Sequence, residues 1–232
     1  MIELKFLGTK GEIEESSKIH QYHSSMLIIQ DNFRLLIDYG ELHKYELSKI
    51  KPNAILITHA HPDHYLWTKK DYFTNIPIYM TKKTFDYGKF KPNNPKIIKE
   101  EKLFHIGPFK ILGYNVIHSI RCPAVGFKIF VDKKKLVYNP DLIDIINKER
   151  ILNKVDYYIG DGSCIMANLV RKKGEKLFGH TRITTQINWC KEKGIKNILF
   201  THLGKETLRK EKQFLREHPE IRLAYDEMEL IL

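Results

Sequence analysis

The run Thr58-His59-Ala60-His61-Pro62-Asp63-His64 follows an apolar segment, Ala54-Ile55-Leu56-Ile57, and carries most of the chemistry legible in the chain. Imidazole nitrogen is a good ligand for zinc, and carboxylate oxygen suits zinc, iron or manganese. In an extended segment side chains alternate, so His59 and His61 point the same way and can reach one ion. Pro62 promotes a turn, after which Asp63 and His64 can aim at a second position a few ångströms away. At this chain's own residue frequencies such a cluster arises by chance in about one chain in a thousand, so a histidine-rich surface loop is the weaker account.

Around this loop the pattern is strand-rich at first and alternates strand with helix later. Short β-type runs span 2–7, 25–29 and 33–37, with Asp31-Asn32 as the turn between the last two. A buried strand at 54–58 leads into the histidines, and further strands read at 76–80, 109–117, 126–131, 135–138 and 155–159. A helix is expected over 181–193, with Thr181 as N-cap and Gly194 as its stop. A strand at 197–201, a helix at 206–217 ending before Pro219, and a last strand over 224–232 complete the reading. The class is α/β (α+β), with at least one largely antiparallel sheet.

The chain has 232 residues, 42% hydrophobic and 29% charged, which suits one domain spanning 1–232 and excludes disorder. No apolar run approaches the roughly 20 residues that span a bilayer, and the start has no basic, apolar leader, so a cytoplasmic protein without membrane contact is expected. Cys122, Cys164 and Cys190 are too few and too dispersed for a disulfide framework or a cysteine zinc site. The net charge of +11 favours anionic partners. The basic runs at 69–70, 82–83, 133–135 and 171–173 read mostly as solvated faces, the last being the candidate for phosphate contact.

The histidine loop resembles that of the metallo-β-lactamase-fold hydrolases, which reads His-x-His-x-Asp-His after a buried strand. Further motifs follow in the family's order over almost the whole chain: Asp38 in Leu35-Leu-Ile-Asp38-Tyr-Gly40, His118 before Ser119-Ile-Arg-Cys-Pro123, Asp141 in Val137-Tyr-Asn-Pro-Asp141, and His202 in Phe200-Thr-His202-Leu-Gly204. The resemblance implies an αββα sandwich of two mixed sheets with helices on the outer faces. It implies two divalent ions, zinc first, with manganese or iron suiting the same donors. His59, His61 and His118 would hold one, Asp63, His64 and His202 the other, with Asp141 bridging and Asp38 supporting the loop from behind.

His180, just before the later helix, and the Thr-His pair at 201–202 resemble the phosphodiesterase branch, ribonuclease Z and the cyclic-phosphodiesterase-like enzymes. In that branch the extra histidine assists the transition state or protonates the leaving oxygen. Asp161 falls where ribonuclease Z carries the carboxylate that orients this histidine. The resemblance therefore makes His180, Asp63 and Asp161 the catalytic candidates. The Gly/Pro-rich arm with which ribonuclease Z grips tRNA is not evident between Lys133 and Gly179, which favours a small phosphodiester or a nucleic-acid end as partner. Competing expectations are a lactonase or thioesterase of the same fold, and a non-catalytic nucleic-acid-binding protein with structural metals. The oligomeric state is left open, a homodimer included.

Overall fold

The structure, a computed structural model, describes residues 1–232. Its strands form two large sheets of similar design, both mixed. The first runs in the order 229–231, 2–8, 25–30, 33–37, 54–56, 78–81, 95–98. Its pairs are antiparallel up to strand Phe33–Ile37 and parallel beyond it. The second runs 144–145, 109–117, 125–131, 134–138, 157–161, 197–201, 221–223, with 103–106 also paired to 109–117. It turns parallel after strand Lys134–Tyr138. Neither sheet is largely antiparallel, because each ends in strands joined by crossovers long enough to reverse direction.

Period-two alternation explains the layering. Leu35, Ile37, Ala54 and Leu56 pack with Phe109, Phe127, Leu136, Tyr138, Ile159 and Leu199 in one buried cluster between the sheets. The residues one step out of phase face the other way. Leu36, Ile55, Ile57, Ile78 and Met80 pack with Tyr65, Leu66 and Trp67 outside the first sheet. Val137, Tyr158, Ile198 and Phe200 pack with Ile183, Ile187 and Phe214 of helices Ile183–Glu192 and Lys205–Glu217 outside the second. Central strands buried on both faces need the near-continuous apolar runs that the sequence carries. The result is the expected αββα sandwich.

Several boundaries differ from the sequence reading, for local reasons. The strand expected over 54–58 is Ala54–Leu56, because the Thr58 amide donates to the Asp38 carboxylate instead of a neighbouring strand. Thr181 is not an N-cap: its amide donates to the Leu142 carbonyl, and Arg182 precedes the helix without a side-chain cap. The last strand shrinks to Glu229–Ile231, since 224–228 turns from one sheet to the other after strand Ile221–Leu223. Strands Pro95–Ile98 and Leu103–Ile106, helix Lys82–Tyr87 and the hairpin Arg171–Lys173 with Lys176–Phe178 lacked a clear periodic signal. No helix is long and apolar enough to cross a membrane, and the three cysteines are free and buried.

Candidate metal centre

Parallel strands leave their carboxyl ends on one edge of a sheet, and nearly every polar residue of the site sits there. Asp38 follows strand Phe33–Ile37, the histidine loop follows Ala54–Leu56, and Asp141 lies just beyond Lys134–Tyr138. Asp161 ends Tyr157–Asp161 and His202 follows Asn197–Thr201. His118 follows the long antiparallel strand Phe109–Ile117. Asp38 and His202 both adopt left-handed backbone, with φ of 60° and 55°. For residues other than glycine this conformation is sparsely populated and marks positions held by their surroundings.

The candidate ligands and catalytic residues singled out in the sequence converge, while the basic run at 171–173 does not. His59 Nε2 lies 2.9 Å from His61 Nδ1, which lies 3.3 Å from His118 Nε2. Asp63 Oδ2 lies 3.0 Å from His202 Nε2 and 3.3 Å from His64 Nε2. Asp141 reaches both sets: Oδ2 is 2.7 Å from His64 Nε2 and 3.9 Å from His59 Nε2. Its Oδ1 is 3.4 Å from His202 Nε2 and 3.7 Å from His118 Nε2.

These spacings fit a cation. Ligands about 2.0–2.1 Å from a shared tetrahedral centre lie about 3.3 Å apart. Although His64 Nε2 and Asp141 Oδ2 are close, both are buried without a hydrogen-bond partner. They converge on common space rather than on each other, which is what a shared ion requires.

The far sides of the imidazoles are tied so that the near nitrogens stay free. His64 Nδ1 donates to Asp38 Oδ2 at 2.8 Å. His59 Nδ1 lies 3.0 Å from the Thr58 hydroxyl, which in turn donates to Asp38. His118 Nδ1 donates to the Gly179 carbonyl at 3.1 Å. Such partners select the tautomer whose lone pair faces a metal. Asp38, expected to support the loop, thus serves one histidine of each set.

His180 and Asp161 form a neighbouring pair. His180 Nδ1 donates to Asp161 Oδ2 at 2.7 Å, and lies 3.5 Å from Asp141 Oδ1. Asp161 is fully buried and also accepts from the backbone amides of Leu142 and Ser163. His180, 22% exposed, opens onto a cleft of about 630 Å³ that also exposes His61, Asp63, His118, Asp141 and His202.

Electrostatics divides the imidazoles. Burial holds His59 well below the usual histidine range and lowers His118 to about 4. Against the same burial, Asp63, Asp141 and Asp38 hold His64 well above it, and Asp141, Asp161 and Asp63 push His202 up to about 10. Burial opposes charge on His180 too, yet Asp161 and Asp141 raise it. The protons on His64 and His202 are those that a divalent ion would displace.

The β-lactamase superfamily domain matches residues 20–158. The chain belongs to that superfamily. Among solved structures it is similar to the metallo-β-lactamase-fold protein YhfI from Bacillus subtilis, with 18% identity, TM-score 0.71, and 99% of this chain and 98% of that one covered. A diphosphatase of the PhnP family shares 17% identity at TM-score 0.69, over 100% and 98% of the two chains. The short form of human tRNase Z shares 18% at TM-score 0.67, over 99% and 98%. No curated protein sequence matches the chain. This member of the superfamily is a metallo-β-lactamase-fold hydrolase whose His/Asp clusters suit divalent metals.

Two parts of the site escaped the sequence reading. The basic residues lining the cleft are Lys205, Arg209 and Lys210 of the last helix, while Arg171–Lys173 lies on the exposed hairpin and lines none of it. Lys205 and Arg209 pair with Glu15, and Lys210 with Glu206. Ser163, buried between His180 and His202, carried no motif signal, since a serine beside glycine reads as a turn.

Proposed function

We propose that this protein is a phosphodiesterase that uses two divalent ions, zinc first among the candidates, to hydrolyse a nucleotide, cyclic nucleotide or nucleic-acid phosphodiester. The observation that carries the reading is His180, hydrogen-bonded through Nδ1 to a buried carboxylate with its ring at the mouth of the ligand-lined cleft. A thioester, whose thiolate departs without a proton, has less use for such a group than a diester, whose alkoxide leaving group needs one.

His59, His61 and His118 would hold one ion and Asp63, His64 and His202 the other, with Asp141 reaching both. Ions there would supply positive charge to the phosphoryl oxygens and lower the pKa of a water. The chain's own residues do the rest. Asp161 fixes the His180 ring and favours its cationic form, so that Nε2–H can be delivered to the departing oxygen. Asp38 and Thr58 keep the loop histidines in register. Three free buried cysteines agree with a reducing, cytoplasmic location.

Leaving-group dependence tests this. Replacement of His180 by alanine should cut turnover of a dinucleotide about 10²–10⁴-fold, and turnover of bis(p-nitrophenyl) phosphate much less, because p-nitrophenolate departs without a proton. Metal content should stay at the wild-type level. Equal losses on both substrates, or lost metal, would remove His180 from the proton-donor role. Hydrolysis of lactones or thioesters with no turnover of diesters would overturn the phosphodiesterase reading itself.

A further inference from the structure

We infer that Ser163 is a positioning residue that sets the tautomer of His202 and holds the Asp161 that orients His180, tying the proton donor to a histidine that would hold an ion. The inference rests on the metal-dependent reading above. Ser163 is 6% exposed, and its Oγ lies 3.1 Å from His180 Nδ1 and 3.0 Å from His202 Nδ1. Its own amide donates to Asp161 Oδ1 at 2.9 Å.

The proton positions follow from the neighbours. His180 Nδ1 sits 2.7 Å from the Asp161 carboxylate, so it carries hydrogen. His202 turns Nε2 toward Asp63 and Asp141, at 3.0 and 3.4 Å. With a cation there, Nε2 must offer its lone pair and the ring proton must sit on Nδ1. The nearest acceptor for that proton is Ser163 Oγ, because Asp161 Oδ1 is 3.7 Å away, beyond hydrogen-bond reach. The Ser163 oxygen thus accepts from His202 Nδ1 and lies 3.1 Å from the His180 Nδ1–H that Asp161 receives, while its own hydrogen turns to the His202 carbonyl at 3.4 Å.

The same device occurs across the site, where the Asp38 carboxylate and the Thr58 hydroxyl hold His64 and His59. On each sheet one carboxylate and one hydroxyl together serve a pair of histidines. Ser163 has little freedom to relax. The following amides of Ile165, Met166 and Ala167 all donate to Glu206 Oε2, at 3.0, 3.1 and 2.9 Å, and the Cys164 carbonyl accepts from Ile183.

The test compares full-length wild type with S163A and S163T. Zinc affinity is read by competition with a chromophoric chelator, unfolding by melts of the chelator-treated proteins, and turnover on a dinucleotide. S163A should weaken one of the two zinc ions about 10–100-fold, the usual effect of losing a partner behind a ligand, with the other ion unchanged. Its kcat should fall more than its KM rises, and S163T should recover both affinity and kcat. Two zinc ions at wild-type affinity in S163A would overturn the inference, as would S163T no better than S163A. If S163A fails to fold, S163C, whose thiol is a weak acceptor, carries the same comparison. A wild type that binds zinc but cleaves no diester would sink the proposed reaction, while the affinities would still decide the role of Ser163.

Discussion

Replacing Asp38 by asparagine tests how this chain prepares its histidines, since the change keeps shape and removes one acceptor. The Asp38 carboxylate accepts from the Thr58 amide at 2.8 Å, the Thr58 hydroxyl, and His64 Nδ1 at 2.8 Å. An amide has one acceptor oxygen and one donor end. With the oxygen kept toward Thr58, the NH2 group faces His64 Nδ1, and the ring must shift its proton to Nε2, where an ion needs the lone pair. With the amide reversed, NH2 opposes the Thr58 amide, and a buried donor goes unpaired at a cost of about 1–3 kcal/mol. The first arrangement should weaken the ion held by His64 about 10–100-fold, or about 1.4–2.8 kcal/mol at 1.4 kcal/mol per decade, and the second should lower the melting temperature instead. Chelator competition measures the affinities, and melts with and without zinc separate binding from folding. Wild-type affinity for both ions together with a wild-type melt in D38N would refute the tautomer argument.

Two more expectations concern packing and charge around the ligands. A Cβ on Gly40 would lie 2.0 Å from the Asp63 carbonyl oxygen, a backbone atom that cannot swing aside. G40A should therefore push the metal loop outward and cost about 1–3 kcal/mol, seen as a melting temperature lower by several degrees together with weaker zinc binding; an unchanged melt would contradict the contact. His23, whose Nδ1 accepts from the Leu42 amide, is lowered by burial to about 4. The unfolded chain takes up this proton near pH 6.5 and the folded one only near 4, so its contribution is present above pH 6.5 and fades as pH falls toward 4. It amounts to at most about 3 kcal/mol. H23N, which keeps an acceptor but cannot titrate, should flatten the acid side of the stability curve of the chelator-treated protein, and an identical slope would exclude His23 as a source of acid lability.

The loop from His59 to His64, the late Thr-His pair and the ordered motifs between them made the ligand set readable, because chemistry of this kind depends on residue type and short spacing. Central strands were readable for a related reason: burial on both faces demands apolar runs such as those at 35–37, 54–57 and 198–200. Edge elements were less so. The four-residue strand Pro95–Ile98 pairs with Ile78–Thr81, while Leu103–Ile106 and the hairpin at 171–178 pair locally but are short and mostly exposed, so neither carries a long apolar run. The Thr181 cap failed because Thr181 is tied to Leu142, 39 residues earlier in the chain, and Arg182 takes the position before the helix.

What could not be read along the chain is which groups stand behind the ligands. Asp38 meets His64 and, through Thr58, His59 across two strands, and Ser163 meets two histidines 17 and 39 residues away. These partners are ordinary polar residues with no spacing rule, selected by where two sheets happen to end. Residue type and order thus pointed to the superfamily and to the candidate metal ligands. The choice of tautomer, the buried carboxylate under His180 and the cations lining the cleft came from the meeting of distant strand ends, because a hydrogen bond depends on distance in space and not on separation along the chain.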